Sequence, residues 1–133
     1  PNPTPAPNPN PDPDTKKEFD ARQRREKKAF DAEQREERKS FDREQDAEED
    51  AFDAGQEAEE EAFEQGDPTR AEEDVFDARQ DLERESFEQQ QRSEREAFNR
   101  RQAAEEELFD ARQRVERDAF DAREEDEQDN TDD

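Results

Sequence analysis

The chain has 133 residues, 51% of them charged and only 23% hydrophobic, with a formal net charge of −24. That composition excludes a conventional globular core, and low hydrophobicity with a large net charge is also the mark of disorder. Cysteine, histidine, methionine, tryptophan and tyrosine are all absent, which removes thiol chemistry, soft-metal sites and the usual general base.

In chain order, the first segment is Pro1 to Asp14, where proline alternates with small or polar residues. Each proline fixes its own φ and pushes the preceding residue towards extended backbone, so the segment is expected to form a polyproline-II arm or linker, 1–14. A chain that starts on such an arm without methionine would favour an extracellular, cell-surface or virion location. No apolar run exceeds two residues, so neither a transmembrane helix nor an intact signal peptide is expected. The acidic balance would repel nucleic acid and anionic membrane surfaces.

Helix formers begin at Thr15, which with Glu18 makes a capping box, and continue without a breaker to Gln65. Acid-before-base pairs four apart, such as Asp20 with Arg24 and Asp110 with Arg114, support helix in both halves. The break is Gly66-Asp67-Pro68: glycine suits the position after a helix end, aspartate an N-cap and proline the first helical residue. The expected division is a first repeat helix at 15–65, a break at 66–67, a second repeat helix at 68–127 and a disordered acidic tail at 128–133.

Phenylalanine sets the period. Phe19, Phe30, Phe41, Phe52 and Phe63 stand eleven apart, and after one step of thirteen Phe76, Phe87, Phe98, Phe109 and Phe120 resume the spacing. An eleven-residue period is slightly longer than three turns of a straight helix, so helices that keep this stripe in contact would wind with a right-handed twist. The expected fold class is therefore all-α, with two long hendecad-repeat helices in right-handed coiled-coil-like or helical-filament packing. The ten phenylalanines are the expected assembly interface, because rings this sparse give a single helix little to bury and partner helices the most obvious cover.

The fourth residue after Phe is glutamine in eight copies, from Gln23 to Gln113, and the seventh is glutamate in nine, from Glu26 to Glu127. At about 98° per residue both flank the Phe line by roughly 33°. Two placements fit: a rim whose methylenes cover the rings, or amide layers hydrogen-bonded inside a multi-helix bundle between Phe layers. A second stripe of small or modestly apolar residues, including Ala54, Ala78, Leu82, Leu108 and Val115, is either a packing face for a neighbour's Phe or simply good helix former.

The break allows an antiparallel hairpin or a kinked rod, against a largely disordered monomer. A hairpin turning near Asp67 would interleave the two Phe series at about half-repeat offsets, roughly 8 Å. Charge favours the rod: Asp46 to Glu64 holds ten acids and no base, whereas Lys16 to Glu44 holds eleven bases against nine acids, so staggered neighbours would match better.

No nucleophile–base pair, phosphate loop or converging ligand set is present in the sequence, so no enzyme, cofactor, metal or small-molecule substrate is expected. The leading expectation is a structural self-assembling protein that binds copies of itself as the subunit of a helical filament, stalk or sheath. The alternative is an elongated coiled-coil spacer or ruler of phage-tail or cell-surface type. Aromatic residues at such spacing resemble the tape-measure proteins of phage tails in one residue per repeat. A lipid-coating or desiccation-protective helix is a third class, opposed by the narrow apolar stripe and the negative charge.

Overall fold

The structure is a computed structural model that describes residues 15–131; the expected polyproline arm at 1–14 and the last two residues of the expected tail lie outside them. The fold is all-helical, with α1 spanning Lys16–Gln65 and α2 spanning Arg70–Thr131. α1 is one continuous helix, but its contacts fall into two units, one ending at Glu36 and one beginning at Glu37.

Both helices start on the same device. The Oγ1 of Thr15 accepts the Glu18 amide at 3.1 Å, and the Oγ1 of Thr69 accepts the Glu72 amide at 3.2 Å. Each threonine also accepts from further along with its carbonyl, from Phe19 at 3.1 Å and from Glu73 at 2.9 Å. Thr-x-x-Glu satisfies amides that the first helical turn would otherwise leave unpaired. The N-cap of α2 is therefore Thr69 rather than Asp67, and α2 begins at Arg70, two residues after the expected Pro68. It also continues to Thr131, through the first four residues of the segment expected to be a tail.

The exit from α1 differs from expectation as well. Gly66 and Asp67 close the helix through amide bonds to the carbonyls of Phe63 and Glu64, yet the residue with positive φ is Asp67, at 53°, and no glycine has one. Aspartate is among the few side chains that enter the left-handed region, at a cost glycine does not incur. Asp67→Gly is expected to raise stability by about 1 kcal/mol, measured by denaturant melting. Gly55→Ala should add about 0.5 to 1 kcal/mol, because a Cβ there meets nothing within 4 Å and glycine weakens a helix interior.

From Glu37 onward the two helices form an antiparallel hairpin. Phe41 stacks on Phe98, Phe52 on Phe87 and Phe63 on Phe76, so each step of eleven up α1 is matched by a step of eleven down α2. The kinked rod is thereby overturned for this unit, and so is the interleaved hairpin. The midpoint of every pair falls between Thr69 and Arg70, not at Asp67, because α1 stops at Gln65 while α2 waits until Thr69 has capped it. That displacement brings the two Phe series level. The charge objection fails for a related reason: the acids of the 46–64 segment lie mostly on exposed faces, where water and salt weaken their mutual repulsion.

In the unit that ends at Glu36, Phe19 is 1% exposed and Gln23 is also buried. Its surface carries i,i+4 ion pairs, among them Arg22 with Glu26 and Lys27 with Asp31. Along α2, Arg79 with Glu83, Arg101 with Glu105 and Arg112 with Glu116 have the same base-first order, the less favourable orientation for a helix. At surface exposure each contributes tenths of a kcal/mol at most.

Candidate functional site

The feature most specific to this sequence is the seam of the hairpin, a ladder in which aromatic and amide layers alternate. The aromatic layers are face-to-face pairs with centroids 4.3, 4.3 and 4.1 Å apart and planes within 5° of parallel. Each pair comes from equivalent repeat positions on opposite helices, and a Phe every eleven residues returns to the same side of each helix. Phe76 and Phe98 are buried, while Phe41, Phe52, Phe63 and Phe87 are half-buried. Phe109 and Phe120 on α2 are also buried, and Phe30 on α1 is half-buried.

Between the rings the glutamines bond across the seam, chiefly to backbone. The Nε2 groups of Gln56 and Gln80 donate to each other's carbonyls at 3.0 and 2.9 Å. One layer along, Gln45 Nε2 donates to the Gln91 carbonyl at 3.0 Å, and Gln91 Nε2 donates to Glu48 Oε2 at 2.6 Å. Gln45 and Gln102 are buried. Of the two placements open to these residues, the structure takes the hydrogen-bonded layer, formed here between the two helices of one chain. An amide that bridges to a helix carbonyl fixes the axial level of the opposite helix, which a ring contact alone does loosely.

Three arginines complete the ladder. Arg84 Nη2 donates to Asp53 Oδ1 at 2.8 Å and Gln56 Oε1 at 3.1 Å, and its guanidinium lies 5.5 Å from the centre of the Phe52 ring. Arg95 donates to Gln45 Oε1 through Nε and Nη2. Arg38 Nη2 donates to Asn99 Oδ1 and Gln102 Oε1, both at 3.0 Å, with its guanidinium 5.5 Å from the Phe98 ring. The side-chain oxygens of Gln56, Gln45 and Gln102 are thus taken up by charged donors, two of which, Arg84 and Arg38, also cover a ring.

These arginines were not among the expected site residues, although a signal for them exists. All three stand eight after a Phe; where α2 carries Arg84 and Arg95 the α1 copies carry Glu60 and Glu49, and where α1 carries Arg38 its α2 counterpart is Glu106. Gly66, Asp67 and Pro68, the expected break, do lie at the turn. Beside it Phe63, Ala71, Val75 and Phe76 line a shallow apolar hollow. Among the described residues no three His, Cys, Asp or Glu side chains are grouped to hold a metal ion, and no helix is long and apolar enough to cross a membrane.

The amide layer yields a prediction. Gln80→Met keeps the stem and removes the Nε2 donor to the Gln56 carbonyl, leaving that carbonyl to find water at a half-buried site while the Gln56 amide keeps its bond to the Gln80 backbone. The expected cost is about 1 to 2 kcal/mol by denaturant melting, with faster amide exchange around Gln56. An unchanged midpoint would mean that the bridge adds nothing to pairing.

Comparison with known protein families, with curated proteins and with solved structures gives no match for this chain. The ladder therefore has to be interpreted from its own geometry.

Proposed function

We propose that the chain is a structural, self-assembling protein: a subunit of a helical filament, stalk or sheath whose cohesion within each subunit comes from the Phe–Gln ladder. The observation that carries this reading is the shared register of the three stacked Phe pairs, a construction that fixes length and axial level and leaves the charged faces outward. The seam is filled by side chains of the protein itself, which supports a mechanical role. The eleven-residue repeat calls for a slight right-handed winding of helices that stay in contact along it, and the negative exterior would keep filaments apart from one another.

A second reading, an elongated coiled-coil spacer or ruler that stays a discrete species, is favoured by one observation. Phe41, Phe52 and Phe63 already meet Phe98, Phe87 and Phe76 of their own chain, so the ladder needs no other subunit to close. Sedimentation velocity over a wide concentration range, joined to negative-stain microscopy at low and high salt, separates the two. Fibres or a concentration-dependent size support the assembly; one species that ignores concentration and salt rejects it and leaves the spacer.

A further inference from the structure

If the chain assembles as proposed, the Phe ladder is turned inward and cohesion between copies needs another face. The protein has four aliphatic residues larger than alanine, Val75, Leu82, Leu108 and Val115. All four are on α2, and all are exposed, at 71%, 66%, 72% and 67%. Their positions are not scattered. Val75 and Leu108 each precede a Phe by one residue, while Leu82 and Val115 each follow one by six. Seven residues apart, the members of each couple sit about 20° from one another on the helix, and the two couples are three whole repeats apart. The four therefore form one line, turned about 115° from the Phe stripe. Ser86, Ser93, Ala97 and Ala104 occupy the intervening places of the same seven–four alternation, so nothing bulky interrupts it. On α1 the equivalent line holds Ala47, Ala51, Ala58 and Ala62 over the stretch paired with α2, with no larger aliphatic residue.

The charges beside this line say what can cover it. On the side towards the Phe stripe the adjacent row carries Arg79, Arg101 and Arg112; on the far side the charged row is Glu85, Glu96 and Glu107, and all six are exposed. Two copies lying parallel along this face set the arginine row of each beside the glutamate row of the other, on both edges of the contact. Antiparallel copies would set like rows together, which costs energy on both edges. We infer that the outer face of α2 is a self-association surface, on which a second copy of this chain docks with its α2 parallel to the first. The aliphatic line supplies cohesion and the opposed rows set the sense.

Two sets of variants of the full chain test this. Leu82→Glu with Leu108→Glu changes exposed side chains only, so helicity by circular dichroism should hold while the association constant from sedimentation falls at least tenfold. Val75→Cys, in a protein with no other cysteine, should oxidise to a covalent dimer if the copies are parallel. An equimolar mixture of Val75→Cys and Val115→Cys chains should then give mainly the two homodimers, whereas antiparallel pairing would give mainly the mixed dimer. Association unchanged by the glutamate pair, or a dominant mixed dimer, overturns the inference while leaving self-assembly standing. A wild-type chain that stays monomeric overturns both, and a heterologous protein that competes for the face without self-association would reassign it.

Discussion

Phe98→Ala is expected to destabilise the hairpin by about 3 to 5 kcal/mol, the range for truncating a buried aromatic side chain. The ring is 6% exposed, stacks on Phe41 at 4.3 Å, and lies under the guanidinium groups of Arg38 and Arg101 at 5.5 and 5.2 Å. Alanine removes all three contacts and leaves Arg38 bonded only to Asn99 and Gln102. Helices that make so few apolar contacts between layers cannot close the gap by shifting inward, because the adjacent amide layers hold the backbones at their spacing. The same substitution at Phe63, half-buried beside the turn, should cost roughly half as much. A double-mutant cycle with Phe41→Leu and Phe98→Leu should return a coupling of about 0.5 to 1.5 kcal/mol for the stacked pair. Guanidinium melting of the full chain measures each of these, and a Phe98→Ala cost below about 1 kcal/mol would remove the aromatic layers as the source of pairing.

Much of this arrangement could be read from the residues, and the rest escaped for identifiable reasons. The two helices follow from helix-forming composition between Thr15 and Thr131 with a single Gly-Asp-Pro interruption, and the Phe stripe from its period alone. Charge summed by segment disfavours the hairpin, because it ignores which face of the helix each acid occupies. On a helix, however, acids such as Glu57 and Glu61 point into solvent, while the charged groups seen to bond across the seam are Arg38, Arg84 and Arg95 with their acceptors, and Glu48. Those arginines become visible only when the repeats of α1 and α2 are aligned in opposite directions, since each matters through the glutamine it faces on the other helix. The turn is veiled in the same way: Gly66 looks like the left-handed residue, but Asp67 adopts that conformation, and Thr69-Arg70-Ala71-Glu72 repeats the capping signature of Thr15-Lys16-Lys17-Glu18. That second box sets the centre of pairing between Thr69 and Arg70 and so levels the rings.

The largest effect should come from deletions that distinguish period from helicity. Removing residues 88–98, one whole repeat of α2, shortens the helix by about 16.5 Å and carries Phe109 into the place of Phe98, opposite Phe41, and Gln102 into the place of Gln91, opposite Gln45. The ladder then loses the Arg95 bonds to Gln45 but keeps its layers, so cooperative melting should survive with a modestly lower midpoint. Removing residues 88–94 takes out fewer residues and shortens α2 by only about 10.5 Å. It leaves the Phe stripe within about 20° of its face, so an isolated α2 would scarcely notice. In the hairpin, however, Phe98 lands where Gln91 stood, a ring against the buried Gln45 amide, and every layer beyond Phe87 is out of step. With the Phe41–Phe98 layer and the Gln45 amide layer uncoupled, the loss should reach about 4 to 6 kcal/mol, enough to release the helices beyond Phe52 and Phe87 and to expose their amides to rapid exchange. If the shorter deletion melts at or above the midpoint of the longer one, axial register is irrelevant and the seam is only a greasy contact. If the longer deletion is the better tolerated, the eleven-residue unit is the element of construction, and hairpins of other lengths can be built by adding or removing it.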